Sequence, residues 1–223
     1  MDQLQHWVSI LNVSIYAGLL AVISFLVFYL KLNNDEKWIA YIVFLYAGCD
    51  LIATLIIMQG AQNLWLYNWA LLPQLILVTC IMIKRMKSIA DKKIFFVCTL
   101  IFAVLHFLNL LFFQGYKILA NFTFIPAYGW MAVISFCYLR EQLEDVSLVP
   151  FNSMITWFAL ATLIDNAGSL PILSVLGWAN FIAQPVAYHL YDIVTWIYAF
   201  WFFILITGLL WTKTSLRSAF FFR

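Results

Sequence analysis

Seven long apolar runs, separated by short polar segments, account for almost all of this chain. A helix needs about 20 apolar residues to cross the roughly 30 Å hydrocarbon core of a bilayer, and each run has about that length. The pattern therefore predicts an all-α fold with seven transmembrane helices. The predicted spans are residues 7–30, 38–58, 64–83, 94–113, 119–139, 153–175 and 188–211.

Composition agrees with this interpretation and narrows the range of possible functions. Hydrophobic residues make up 65% of the 223 residues and charged residues only 10%, whereas a soluble domain is about half apolar and about a quarter charged. We therefore predict a single transmembrane domain over residues 1–223, with the lipid bilayer as its surroundings. The net charge is only +2 and no long basic run is present, so we expect no nucleic-acid partner.

The basic residues lie almost entirely on one side of the predicted membrane. Eleven of the twelve Lys and Arg residues fall in the polar segments that follow the odd-numbered spans, and only Lys117 falls on the other side. An excess of Lys and Arg marks cytoplasmic loops. The sequence therefore predicts that the N-terminus lies outside and the C-terminus inside.

Three carboxylates lie within the predicted spans, at Asp50, Asp165 and Asp192. On insertion scales an aspartate at mid-span costs about 3 kcal/mol, and such residues usually face a cavity or the bundle interior. The spans contain no Lys or Arg that neutralises these groups, which leaves His106 and His189 as candidate cationic partners. His189 comes three residues before Asp192, so their side chains share one helix face.

Polar residues concentrate in the predicted outer halves of the spans, while the inner halves are almost purely apolar. This distribution predicts a polar pocket that opens to the outside and is closed toward the cytoplasm. Polar and small residues at helical spacing, such as Thr162, Asp165 and Ser169, support a shared pocket, but they also suit direct packing between helices. The candidate ligand- or proton-binding residues are Asp50, Gln74, His106, Asn109, Asp165, Asn166, His189 and Asp192.

Prolines and aromatic residues indicate where the helices can bend and where they meet the membrane interfaces. A proline within a helix frees a backbone carbonyl, so Pro73, Pro126 and Pro171 are candidate flexible points near the pocket. Aromatic residues near the span ends, Tyr67 among them, indicate interfacial belts. Trp201 lies deeper, and we interpret it as a packing residue that could alternatively line a polar interior.

Missing residues exclude several classes of protein. The seventh span contains no lysine, so a retinal Schiff base cannot form there, and the two histidines within the spans are too few for a cytochrome b-type haem pair. No HExxH, GxSxG or Walker motif is present. We therefore expect a protein that is not an enzyme and holds no cofactor or metal. An intramembrane metal-dependent hydrolase stays a third alternative, with His106, His189 and an aspartate as ligands.

Parts of the chain resemble a set of small seven-helix membrane proteins of Bacteroidota. The resemblance lies in Leu111–Tyr116 (Leu-Phe-Phe-Gln-Gly-Tyr), Trp157–Pro171 and the aromatic stretch Thr195–Trp211. Because those proteins look like envelope sensors or accessory proteins, the resemblance implies a receptor-like role and transfers no functional residue. Together with the predicted topology, it points to a bacterial inner (cytoplasmic) membrane.

Our leading hypothesis is a receptor-like or sensor protein whose outward pocket binds an unknown small ligand, an ion or a proton. Movement of kinked helices would then signal to a cytoplasmic or membrane partner, with loop 140–152 or the C-terminal tail as its contact. The alternative is a small proton-coupled transporter or channel. That alternative requires a pathway through the apolar inner half of the bundle.

Overall fold

The computed structural model describes residues 2–115, 120–144, 150–176 and 184–214. Seven helices within these ranges are long and apolar enough to span a membrane, which confirms the predicted all-α architecture of an integral membrane protein. In chain order, α1 to α7 are Asp2–Phe28, Asn34–Met58, Leu64–Arg85, Ile89–Leu108, Asn121–Glu144, Met154–Leu176 and Gln184–Lys213.

Local hydrogen bonding shifts several helix ends from the limits that hydropathy sets. Helix α2 begins at Asn34, before its apolar run, because Asn33 and Glu36 form a capping box. The Glu36 N–H donates to the Asn33 side chain at 3.0 Å, and the Asn33 N–H donates to the Glu36 carboxylate at 2.8 Å. Helix α4 ends at Leu108, and the chain continues in a π-helical turn, Asn109–Phe113.

The helices form a closed ring in which α1 packs between α2 and α7. Helix α6 packs against α5 and α7, and it also contacts α2 and α3 across the bundle. Helix α4 is peripheral, because its contacts are mainly with α3 and α5. Its outward face carries exposed apolar residues such as Leu100, Ile101 and Val104, as expected of a surface that faces lipid tails.

Ion pairs join the helices at one end of the bundle. We call this end, which carries the turn at residues 86–88, the predicted inner end, and the opposite end, with the turn at 59–63, the predicted outer end. Asp35 at the start of α2 pairs with both Lys84 and Arg85 at the end of α3. Neighbouring Glu36 pairs with Lys213 of α7 at 2.6 Å. Helices α2, α3 and α7 are therefore tied together at this end.

The two predicted partner surfaces are only partly described. Residues 145–149 of loop 140–152 and residues 215–223 of the C-terminal tail lie outside the described residues, as does Lys117. In the described part, the Glu141 carboxylate accepts hydrogen bonds from the backbone N–H groups of Lys87 and Ser88, at 2.6 and 3.3 Å. The end of α5 is thus fixed to the turn between α3 and α4.

Gly208 of α7 permits close packing against Trp157 of α6. A methyl group at position 208 would lie 2.5 Å from Trp157 Cβ and closer still to Cγ. We therefore expect Gly208→Ala to destabilise the protein by about 1–3 kcal/mol through overpacking, measured as thermal melting in detergent. Gly48→Ala is the control, since nothing lies within 4 Å of its new methyl group. Equal melting temperatures for the two variants would contradict this packing.

Candidate functional site

A cavity of about 490 Å³ lies between six of the seven helices. Its lining comes from α1, α2, α3, α5, α6 and α7, while α4 contributes no lining residue. The lining residues lie in the middle or in the predicted outer half of their helices, and they reach Asn63 in the turn between α2 and α3. The cavity therefore extends from the centre of the bundle to its predicted outer end.

Two carboxylates face this cavity. Asp50 of α2 and Asp165 of α6 both line it, and their exposed fractions are only 7% and 3%. The Tyr67 hydroxyl donates to Asp50 Oδ1 at 3.3 Å. None of the described lining residues is Lys, Arg or His, so the cavity itself supplies no cation to balance either carboxylate.

Three buried polar groups of the lining have no hydrogen-bond partner among the described residues. They are Asp50 Oδ2, Gln74 Nε2 and Ser169 Oγ. A buried polar group left unpaired costs about 1–3 kcal/mol. These three groups therefore carry unused hydrogen-bonding capacity at the cavity wall, which a bound molecule can satisfy.

Aromatic rings form the walls and the floor of the cavity. Tyr46 and Tyr198 line it and both stack on Trp201, with ring-centroid distances of 4.8 and 6.1 Å. Trp201 is 2% exposed and meets Phe158 edge to face at 6.3 Å. We call these four residues the aromatic floor. Among the described residues, the lining tyrosines are Tyr46, Tyr67, Tyr128, Tyr191 and Tyr198.

His106 and Asn109 lie outside the cavity, in a second polar group. His106 is fully buried, and its Nε2 donates to the Asn68 backbone carbonyl at 2.8 Å. Its Nδ1 lies 2.7 Å from Thr123 Oγ1. Asn109 Nδ2 donates to Thr123 Oγ1 at 3.0 Å and to Gln114 Oε1 at 2.8 Å. We call Asn68, His106, Asn109, Gln114 and Thr123 the outer polar cluster.

The outer polar cluster joins helices α3, α4 and α5 near the predicted outer end. The Asn68 side chain also accepts from the backbone N–H of Ala120 at 3.1 Å, and Gln114 Oε1 accepts from that of Phe122 at 3.1 Å. The π-helical turn positions Asn109 at the centre of these bonds. This arrangement suits helix packing, and the predicted ligand-binding role of His106 and Asn109 stays a prediction.

The remaining candidate residues do not line the cavity. Asn166 is fully buried, and its Nδ2 donates to the Thr162 carbonyl at 2.7 Å. His189 and Asp192 lie side by side, as their spacing predicts, with 3.8 Å between Nδ1 and Oδ2. The His189 side chain is 76% exposed. The structure therefore brings Asp50, Gln74 and Asp165 together and places the other five elsewhere.

Metal-binding geometry is not found in the described part of the chain. No group of three or more His, Cys, Asp or Glu residues there is arranged to hold a metal ion. His106 lies in the outer polar cluster and His189 on the surface of α7, so the ligand set considered for a metal-dependent hydrolase is not brought together.

Fold and site together define a seven-helix integral membrane protein with an acidic, tyrosine-lined internal cavity. Comparison of the chain with protein-family models, curated proteins and solved structures finds no match in any of the three. The resemblance to seven-helix proteins of Bacteroidota therefore stays a prediction from the sequence.

Proposed function

We propose that this protein is a receptor-like or sensor membrane protein whose cavity binds a small ligand from the predicted outer side. The observation that carries the proposal is the aromatic floor: Tyr46 and Tyr198 line the cavity at mid-depth, and both stack on buried Trp201, which does not line it. On the inner side of that floor the buried core is mainly apolar, with Ile39, Val43, Met82 and Leu205 in it. Its buried polar side chains include the hydroxyl groups of Thr79, Ser135 and Thr156, and none of the three lines the cavity. A cavity closed at its base suits binding and signalling better than passage through the membrane.

We also propose an orientation of the bundle in the membrane. We place the predicted inner end in the cytoplasm, because eleven of the twelve basic residues belong to that side. A bacterial inner (cytoplasmic) membrane is the proposed location. The cavity then faces the extracytoplasmic side.

Two of the helices that line the cavity also meet at the predicted inner end. Helix α2 contributes Asp50 to the cavity and Glu36 to the ion pair with Lys213 of α7. A ligand that moves α2 against α7 would therefore act on this pair and on the adjoining tail. The proposed partner contacts are loop 140–152 and the C-terminal tail. Pro73 and Pro171 lie next to the cavity, in α3 and α6, and provide points at which these helices can bend.

A small proton-coupled transporter is the second candidate. The observation that favours it is the pair of carboxyl groups, Asp50 and Asp165, which face one cavity without a basic partner in its described lining. Such groups can take up and release protons. A transporter would also have to open the aromatic floor, so that the cavity becomes accessible from the opposite side.

Cys49 gives a direct test, because this native cysteine lines the cavity. The other three cysteines would be replaced by serine, and the protein treated with the membrane-impermeant thiosulfonate MTSET in right-side-out and inside-out vesicles. We expect Cys49 to react from the predicted outer side only, since the floor blocks the other approach. Mass spectrometry of the intact protein measures the reaction.

A second cysteine checks the orientation in the same vesicles. Ser88→Cys, placed in the turn at 86–88 of a variant whose native cysteines are all replaced, should react only in inside-out vesicles. Reaction of Ser88→Cys in right-side-out vesicles would overturn the topology. Reaction of Cys49 from both sides would favour the transporter, and reaction from neither side would contradict an outward pocket.

A further inference from the structure

We infer that the ligand of this cavity is a small organic cation, with an ammonium group that pairs with Asp50 and Asp165 and an apolar body that packs on tyrosine rings. This inference rests on the proposed function, because it needs the cavity to be reached from the predicted outer side. It adds the chemical class of the ligand, which the sensor proposal leaves open.

The charges of the lining favour a cation. The described lining holds two carboxylates and no basic side chain. An anion would bring a further negative charge into a poorly solvated space, where repulsion is strong. A neutral molecule would leave both carboxylates without a counter-charge, whereas an ammonium group pairs with them through charge-assisted hydrogen bonds.

The cavity groups that lack a hydrogen-bond partner indicate which donors and acceptors the ligand carries. Asp50 Oδ2 and Ser169 Oγ lack partners among the described residues, and both can accept from an ammonium N–H. Gln74 Nε2 also lacks a partner, and it can only donate. It therefore matches a hydroxyl, ether or carbonyl oxygen on the ligand. Side chains that are each more than nine-tenths buried supply all three groups.

The tyrosine rings favour an organic cation over a bare metal ion. Tyr46, Tyr128 and Tyr198 line the cavity, and the face of an aromatic ring attracts a cation within about 6 Å of its centroid. The volume of about 490 Å³ lies in the range of small-molecule pockets, about 300–1,000 Å³. A metal ion needs far less space and several closely grouped ligands, and no such group is found among the described residues.

Three probes of similar shape and different charge test the inference. They are phenethylamine, a cation at neutral pH, phenethyl alcohol, which is neutral, and phenylacetate, an anion. The measurement is the rate at which the neutral reagent N-ethylmaleimide modifies Cys49 in the single-cysteine protein. We expect phenethylamine to slow this reaction at concentrations at which the other two have no effect. It should also raise the melting temperature, because a ligand that binds only the folded state stabilises it.

Substitutions locate the effect in the cavity. Asp50→Asn and Asp165→Asn should each weaken protection by phenethylamine about tenfold or more, since each removes a charged hydrogen-bond acceptor. Asp192→Asn is the matched control, because Asp192 lies outside the lining, and it should leave protection unchanged. Tyr198→Leu should weaken protection more than Tyr198→Phe, which keeps the ring. A melting transition confirms that each variant is folded.

The outcomes separate this inference from the function on which it rests. Equal protection by all three probes, stronger protection by phenylacetate, or full protection in the Asp50→Asn/Asp165→Asn double variant would overturn the cation assignment. Absence of both protection and a melting shift with phenethylamine would also overturn it. In each case the outward pocket stands if Cys49 is still labelled from the predicted outer side only. Labelling of Cys49 from both sides would instead count against the sensor, whichever probe binds.

Discussion

Asp165→Leu is expected to make the empty protein more stable. The Asp165 side chain is 3% exposed and faces a cavity whose described lining holds no basic group. Leucine removes the cost of taking a carboxyl group out of water, which is about 1–3 kcal/mol for a polar group in a protein interior, and the adjoining cavity leaves room for the larger side chain. We therefore expect the melting temperature in detergent at neutral pH to rise by several degrees.

Asp50→Leu provides a comparison within the same cavity. It should gain less stability than Asp165→Leu, because it also breaks the hydrogen bond from Tyr67. A lower melting temperature for Asp165→Leu would mean that this carboxyl group holds helices together. The stripe formed by Thr162, Asp165 and Ser169 would then be a packing surface, which is the alternative that the sequence leaves open.

A gain in stability combined with a loss of binding is the mark of a functional site. Asp165→Leu should abolish the protection of Cys49 by phenethylamine while it raises the melting temperature. Substitution of a residue that only supports the fold would instead lower the melting temperature and the protection of Cys49 together. This pair of measurements therefore distinguishes a binding role for Asp165 from a structural one.

The number of the helices and their approximate limits could be predicted because the bilayer fixes both. Within hydrocarbon every backbone polar group must be paired, so spans are continuous helices of nearly constant length. The predicted and observed helix limits differ at the polar ends of the spans, where capping hydrogen bonds decide at which residue a helix begins. The box formed by Asn33 and Glu36 carries α2 beyond its apolar run, and this signal is visible in the sequence.

The rotation and neighbours of each helix could not be predicted in the same way. The cavity face of α7 carries Tyr191, Val194, Thr195 and Tyr198. Asp192 is one position away from Tyr191, a rotation of about 100° around the helix, and it does not line the cavity. A single aspartate within an apolar helix does not show which neighbour it meets.

The neighbours of the polar face of α4 could not be predicted either. His106 and Asn109 lie at the predicted outer depth, but α4 is outside the ring that encloses the cavity. Their polar atoms therefore meet Asn68 and Thr123. Depth follows from hydropathy, whereas helix neighbours depend on packing between apolar surfaces that look alike in sequence.

The tyrosines of the cavity are not among the site residues that the sequence predicts. The position of Tyr67 near a span end indicates an interfacial belt, whereas in the structure its hydroxyl donates to Asp50. The sequence does contain a signal for three other cavity tyrosines, because Tyr46, Tyr128 and Tyr198 lie well within their helices. Tyrosine in a membrane protein is enriched at the interfaces, so a tyrosine at greater depth indicates a polar partner or a cavity.

His106→Leu is expected to destabilise the protein strongly. The substitution removes the side-chain donor to the Asn68 carbonyl, at 2.8 Å, and one of the partners of Thr123, at 2.7 Å. Thr123 Oγ1 still accepts from Asn109 Nδ2 at 3.0 Å, so we expect a loss of about 1–3 kcal/mol. His189→Leu is the matched control. With 76% of its side chain exposed, His189 should be replaceable with little change in melting temperature.

Stability and binding together decide the role of His106. If His106 only joins α3, α4 and α5, the His106→Leu variant that remains folded at low temperature should still show protection of Cys49 by phenethylamine, because none of its broken contacts reaches the cavity. An unchanged melting temperature with lost protection would place His106 in the ligand site, as its intramembrane position predicts. Helix α4 would then act on the cavity through Asn68 of α3, whose backbone carbonyl accepts the His106 hydrogen bond six residues before Gln74.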